Sequence, residues 1–528
     1  MKLNFLIPIL LLGFSCQKGS EASKKIPQEL RMNLHGEPLC LDPRKANDVT
    51  SINVLGACFE GLMRLGEDRS LAFGVAKEVK VSEDLKTYIF SLRNATWSDG
   101  VPITAFDFMD SWLSILDPSF ASEFAHELFI IKNAKAYREG KATKEEIGIK
   151  AIDNQTLEVQ LEYPIPYFLD LVSIGYFYPV PSHIAKSNPL WAKKYSKDFV
   201  GNGPFKLAEW QHYNEITLIK NEAYWDKDKV KLQKIYLPII QDVSTELSMY
   251  ENGELDWAGA PFSSLPLDAI PTIIKKHTLE TFPVAGVYYY VFNVQKHPFN
   301  NRHLRMAFAL AIQRQTIIDN ILQGKQEPAL WFVPPVLWKE KRENSTFKDG
   351  DLIEAKKLFN LALKEMGKTK ETLEPITLSY NTSEGHHKIA QAIQQQWKEA
   401  FGIDVKLENK EWKVFLDELN KHEFQVARLG GIASYNDPMS FLDEGVSSRS
   451  LWTNKAYTKL IEKAAITSDP KRREYDLKNA EDLLIEDMPY APIYFYTYSY
   501  LKKPYVKGVK ISNTGHFEFK YTYLETHD

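Results

Sequence analysis

A mixed α/β chain divided into more than one lobe is the fold class this sequence predicts, and three observations predict it. The chain is 528 residues long, well beyond one small domain, so two to four structural units are expected. Short alternating or apolar runs of strand composition are interleaved with amphipathic helical windows along its length. After the N-terminus, no repeat of solenoid or propeller period and no run of membrane-spanning length interrupts that pattern. The hydrophobic fraction of 44% and charged fraction of 25% are those of an ordinary globular protein. A net charge of -4 leaves no basic excess to neutralise phosphates, which argues against a nucleic-acid binder. Aromatic residues reach 12%, which suits either large aromatic cores or a cleft lined by flat amphipathic side chains.

The N-terminus speaks to compartment. Lys2 precedes an apolar run from Leu3 to Phe14, the length of a signal-peptide core and too short to span a membrane. It ends at Gly13-Phe14-Ser15-Cys16, followed by polar residues 17–25. A small residue before a cysteine at this distance resembles a bacterial lipoprotein signal, with residues 1–15 removed and Cys16 lipidated. Gly13 departs from the leucine usual three places before the cysteine, so an ordinary signal peptide is the alternative. Either way the chain is exported, with 16–25 as a flexible tether. Export permits Cys40 and Cys58 to pair, but both fall in segments that suit two buried free thiols.

The elements follow in order. LRMNL (30–34) reads as a strand, and 50–65 as a helix closing on Gly66. Residues 87–92 alternate as a half-buried strand. Thr104 and Asp107 fit a helix start, and the helix stops at Asp117-Pro118. Trp97-Ser98-Asp99-Gly100 is turn chemistry, with Trp97 packing the turn down. Strands follow at 155–161, around a loop within 216–240, and at 288–294; a helix spans 301–312. Residues 388–401 predict a helix, 404–408 a strand, 412–420 a helix and 424–429 a strand running into Gly430-Gly431. YVKGVKISN (505–513) reads as a late strand. The glycines at 430–431 either end a strand in a turn or let another backbone approach closely, as a peptide adding a strand requires.

Catalytic and metal motifs are missing from this reading. There is no G-x-S-x-G, P-loop, H-E-x-x-H or dinucleotide fingerprint, and adjacent His386-His387 is a weak metal signal. No cofactor is expected.

An ordered series of blocks runs from Leu41-Asp42-Pro43 through FEGLM (59–63), DLKTYIFSLR (84–93) and WSDGVPITAFDF (97–108) to Tyr494-Phe495-Tyr496. The series resembles the extracytoplasmic peptide-binding proteins of ABC importers, the oligopeptide/dipeptide-binding solute-binding family 5. That resemblance implies a two-lobed periplasmic-binding-protein-like fold, class II type, with an extra domain and an interlobe ligand cleft. One lobe would comprise 26–59, 184–285 and 502–528, with 60–183 appended, and the second 286–501. Two crossover segments would form the hinge. It also implies a non-enzymatic monomer that delivers a peptide or peptide-like solute to membrane permease subunits.

Carried over residue by residue, the resemblance makes Trp412 ligand-lining, Arg428 and His386 basic residues facing carboxylates, and Tyr289 and Tyr496 aromatic walls. Val49 would offer backbone to the peptide from the opposite lobe, and Gly430 lies on the strand that pairs with it. Three positions depart. Ser434 stands where relatives carry an aspartate for the peptide ammonium, Val291 where they carry a glutamate, and Leu419 where they carry a basic residue. A buried ammonium without a carboxylate costs up to several kcal/mol, so a changed ligand preference is expected. Asp437 fits a structural role better than that of a substitute partner. A surface adhesin or chaperone on the same scaffold, or an exported peptidase or amidase, are the rival readings.

Overall fold

The computed structural model describes residues 26–192, 199–340, 342, 345, 347–443 and 445–525. Cys16 and the expected signal and tether lie outside them. Strands Glu29–Arg31, Lys234–Pro238, Glu215–Lys220 and Phe205–Gln211 form a four-stranded sheet in that spatial order. Ala76–Val81, Thr87–Leu92, Thr156–Gln160 and Ile149–Asp153 form a second, antiparallel sheet. A seven-stranded sheet runs Trp257–Gly259, Tyr490–Lys502, Glu280–Phe292, Val426–Ile432, Ile376–Asn381, Val405–Lys410, with Glu327–Pro328 beside the second of these.

Two 13-residue strands, Glu280–Phe292 and Tyr490–Lys502, connect these regions. Each spans roughly 40 Å at the usual strand rise. They pair antiparallel with a register break between Pro283 and Val287. At one end Tyr490–Lys502 carries Trp257–Gly259, and Trp257 bridges Met32 beside the first sheet. Trp97, Trp112, Trp191, Trp257 and Trp397 are fully buried, so much of the aromatic content serves cores.

Several local expectations stand for the reasons given. Helix Ala105–Leu116 begins with Thr104 and Asp107 in a capping box, the Thr104 N–H donating to Asp107 Oδ2 at 2.8 Å. Gly100 closes the Trp97 turn with φ +90°, where a side chain is disfavoured.

Other boundaries moved. The apolar pattern over 50–65 predicts one helix, but the helix is Val49–Cys58 and Met63–Leu65 is a strand. Packing overrides periodicity here: Phe59 leaves the helix and its ring lies 5.9–6.4 Å from those of Phe199, Trp191, Tyr178 and Trp97. Gly61 then runs so close to the Val172 carbonyl that no Cβ fits. The late strand is split into Val506–Lys507 and Lys510–Ile511. Gly508 between them has φ +69°, and a Cβ there would collide with the Tyr521 carbonyl. The helix predicted over 388–401 starts earlier, at Glu384, and so takes in His386. Cys40 and Cys58 are not joined in a disulfide. Cys58 is buried, which pushes its thiol up to about 12, whereas Cys40 is only half-buried, contrary to the expectation of two buried thiols.

Candidate ligand-binding cleft

Strands Ile376–Asn381 and Val405–Lys410 run parallel, and Val426–Ile432 is parallel to the first through Val426 and Ala427. Their C-terminal ends therefore converge, the place where open α/β sheets bind ligands. Arg428 sits there. Its Nη1 donates to Asn381 Oδ1 at 3.3 Å and its Nη2 to Tyr496 Oη at 3.2 Å, with the guanidinium 4.5 Å from the Tyr288 ring centroid. No carboxylate pairs with Arg428 among the described residues. His386, in the first turn of helix Glu384–Phe401, places Nδ1 3.4 Å from Tyr288 Oη. Burial first, and the Arg428 charge second, push His386 down to about 3. The imidazole is therefore neutral near pH 7 in the chain without ligand, where it is a hydrogen-bonding group.

Gly430 and Gly431 lie within the strand rather than in a terminal turn, opposite Tyr288 and Val287. A Cβ on Gly430 would collide with the Tyr496 hydroxyl, so glycine is needed there to admit the tyrosine. Gly431 has open space around it. Val426–Ile432 pairs with Glu280–Phe292 along one edge, but with Ile376–Asn381 only at Val426 and Ala427. From Arg428 to Ile432 the second edge has no strand partner among the described residues. An unpaired edge offers backbone donors and acceptors at every second residue.

That edge leads to a cavity of about 400 Å³ enclosed by parts of segments 43–71, 124–178, 432–436 and 511–518. Val49, 64% exposed at the start of its helix, lines one side, and Ser434 another. The turn after Ser434 is clamped. Tyr435 stacks on Tyr167 at 4.5 Å and 6°, and Arg473 donates to both Asp437 oxygens at 2.7 and 2.8 Å. Asp437 is thus committed to holding the turn. Arg64, also on the cavity wall, is bound to Glu60, to the Tyr224 hydroxyl and to Glu518.

Two carboxylates on the wall are not so committed. Burial first, and Asp437 second, raise Asp170 to about 6, and apart from its own backbone N–H its side chain has no hydrogen-bond or ion-pair partner among the described residues. Burial likewise raises Glu127, whose ion pair, at 3.5 Å, is with the largely exposed His126.

The structure therefore brings Arg428, His386, Gly430 and Tyr496 together, and places Val49 and Ser434 on the adjoining cavity. Tyr289 is not in that cluster: alternation turns it to the other face of the sheet, against Phe332 and Tyr490 at 5.1 and 5.3 Å. Tyr288 takes the place beside Arg428 instead. Trp412, 49% exposed, opens a helix two residues after Lys410, which is opposite Asn381, so it stands at the same sheet end. Val291 and Leu419 are fully buried core residues and do not face a cleft. The sequence reading missed Asp170, Glu127 and Tyr288. Only Tyr288 had a usable signal, the period of two along its strand.

The family described as bacterial extracellular solute-binding proteins, family 5 Middle, matches residues 71–451. The chain is 39% identical to the oligopeptide-binding protein OppA of Bacillus subtilis, over 99% of this chain and 98% of that protein. The solved Escherichia coli murein tripeptide-binding protein MppA superposes with a TM-score of 0.80 at 34% identity, covering 94% of this chain and 99% of that one. Haemophilus influenzae OppA, solved in complex with the peptide RPPGFSPFR, gives a TM-score of 0.77 at 30% identity over 94% and 99%.

Proposed function

We propose a peptide-capturing role for this protein on one premise: the chain belongs to the bacterial extracellular solute-binding proteins, family 5. Such a protein is a carrier for an ABC importer rather than an enzyme, and it works outside the cytoplasm. Among the described residues no helix is long and apolar enough to cross a membrane.

The observation that carries the reading is the unpaired strand edge from Arg428 to Ile432, with a cation at its start and the cavity at its end. An extended peptide added along that edge gains main-chain hydrogen bonds independent of its side chains. Arg428 is placed to receive a carboxylate through its free valences, and a charge-assisted pair in that half-buried setting is strong. His386 contributes a neutral donor or acceptor, Tyr496 and Trp412 aromatic surface, and Val49 backbone from the opposite wall.

The long strands Glu280–Phe292 and Tyr490–Lys502 are the hinge in this reading. Segments 26–59, 184–285 and 502–528 form one lobe, with 60–183 appended, and 286–501 the other. Ligand touching both lobes stabilises the closed form alone, which the permease then recognises. Cys16 is the lipid anchor in this proposal, and the carrier acts as a monomer.

Native mass spectrometry of the purified protein tests the central point. Co-purified masses that resolve into peptides support it; a wild-type protein that retains no peptide from a diverse added mixture overturns it. Solution scattering with and without the retained peptide then checks closure.

A further inference from the structure

We propose that Tyr167 is a latch across the cleft: closing the lobes seats its ring against Tyr435 and Arg473 on the opposite side. The latch sets how much of the chain stands closed, and so how tightly every peptide is held, without touching the peptide. The inference rests on the lobes and the peptide capture proposed above and deepens them.

The ring is rigidly mounted on its own side. Pro164 and Pro166 fix the backbone just before it, and Ile165, Phe168 and Leu171 around it are buried. Tyr167 opens the short helix Phe168–Leu171, its carbonyl accepting from the Asp170 and Leu171 N–H groups at 3.0 and 3.2 Å. The receiving surface is held within the other lobe. Arg473 is fixed by its two bonds to Asp437, two residues beyond Tyr435. Tyr167 meets both residues: its ring lies parallel to that of Tyr435, and the Arg473 guanidinium carbon stands 5.4 Å from its centroid. Two preorganised surfaces lose little side-chain freedom on meeting, so the stack and the cation–π contact count toward closure.

Tyr435 lines the cavity, whereas Tyr167 is not among the described residues that do. The tyrosine therefore acts on the closed form and not on the ligand. The same turn makes a second junction, with Asn513 Nδ2 donating to Asn436 Oδ1 at 2.9 Å. On the flank of helix Glu384–Phe401 the junction is Lys388 with Asp268, whose side chain is 81% exposed, and solvent screens that pair. Arg473 Nε is buried without a partner. That unpaired donor counts against the seated state, so the latch holds reversibly. A contact made only in the closed form changes the closed population by one factor. Apparent affinity follows that population whatever the ligand, whereas a ligand-touching residue would favour some peptides over others.

The test compares Tyr167→Ala and Tyr167→Phe with wild type on the mature chain. The probe is an equimolar mixture of four- to six-residue peptides of random sequence. Native mass spectrometry identifies the members retained, and calorimetry measures several of unlike sequence one by one. Tyr167→Ala is expected to weaken all of them by one common factor of about tenfold. Tyr167→Phe keeps the ring and is expected to stay within about threefold of wild type. Tyr167→Leu keeps bulk without the stack and is read like the alanine variant, so poor folding of one does not remove the test. Folded Ala or Leu variants that bind as wild type does, or that lose only some of the peptides, overturn the latch and leave peptide capture standing. A wild type that retains no peptide overturns capture, and ligand-free solution scattering then judges the latch alone. A larger radius of gyration in the Ala or Leu variant than in wild type supports it; an equal one overturns it.

Discussion

The two ends of strand Val426–Ile432 handle charge in opposite ways. At Arg428 a cation is surrounded by Tyr288, Tyr496 and a neutral imidazole, with no carboxylate paired to it among the described residues. Beyond Ile432, Asp170 and Glu127 face a cavity where Arg64 and the neighbouring Arg473 are already spent on other acids and Arg69 lies over the Phe282 ring. Folding alone would pair or exclude such groups, because burying an uncompensated charge is costly. Leaving one sign open at each end sacrifices stability for a surface polarised along the strand. Such a surface favours a guest whose own ends differ in charge.

The largest expected effect lies at the Arg428 end. His386 titrates at about 3 in the folded chain against about 6.5 when unfolded. A depressed histidine contributes stability that is complete above pH 6.5 and lost as pH falls toward 3. By linkage the loss reaches about 2–3 kcal/mol at pH 4, after allowance for partial exposure. His386→Gln is expected to lose less stability than wild type between pH 7 and 4 in urea titrations. Equal slopes would mean that the imidazole is not held neutral beside Arg428.

Next in size is Arg428→Ala, expected to weaken carboxylate-ended peptides by about tenfold to a hundredfold, or about 1.4–2.8 kcal/mol. C-amidated versions of the same peptides should change little. Calorimetry showing equal losses for both forms would make the residue a packing group rather than a charge receptor.

Gly430→Ala follows at about 1–2 kcal/mol of lost stability, since overpacking forces Tyr496 off its position. Adding Tyr496→Phe removes the colliding oxygen and leaves a ring carbon 3.1 Å from the new Cβ. Partial recovery in the double variant is the expected outcome by chemical denaturation. Additive losses would place the strain elsewhere.

How much of this was legible in the sequence differs between the two ends for a physical reason. Arg428 and Gly430 lie at a strand that periodicity predicts, His386 lies just before the helix predicted over 388–401, and the family resemblance supplied their roles, so the cationic end could be read before the structure. The face of the strand 288–294 could not be chosen from composition, because three consecutive tyrosines make either parity equally apolar; the register with Val426–Ile432 pairs Arg428 with Tyr290 and so puts the face of Tyr288 and Tyr290, not that of Tyr289, beside it. The acidic end was invisible. Asp170 lies more than 260 residues from Ser434 in the chain, and its helix is brought to the turn by the stacking of Tyr167 on Tyr435 and the packing of Arg473, which holds Asp437, over Tyr167. The overlong helix at 50–65 failed similarly, since four distant rings decide where Phe59 goes.

The smallest expected effect discriminates most sharply between a wall built for a guest and one built for folding. Asp170 titrates at about 6 in the folded chain, raised first by burial and then by Asp437, while Lys339 lowers it. An unfolded aspartate titrates near 3.9. With the folded value higher, the folded state holds the extra proton between those limits, so stability falls as pH rises through that window. The slope is opposite to that of His386. Asp170→Asn therefore should stabilise the ligand-free protein by about 1 kcal/mol above pH 6, and the gain should vanish below pH 4. Paired urea titrations at pH 4 and pH 8 read the difference directly. A destabilised variant at pH 8 would mean that the carboxylate holds the fold together, and the polarity of the cleft would then need another origin. A stabilised one identifies a residue whose charge is kept at the expense of the fold, which is the mark expected of a group reserved for a partner.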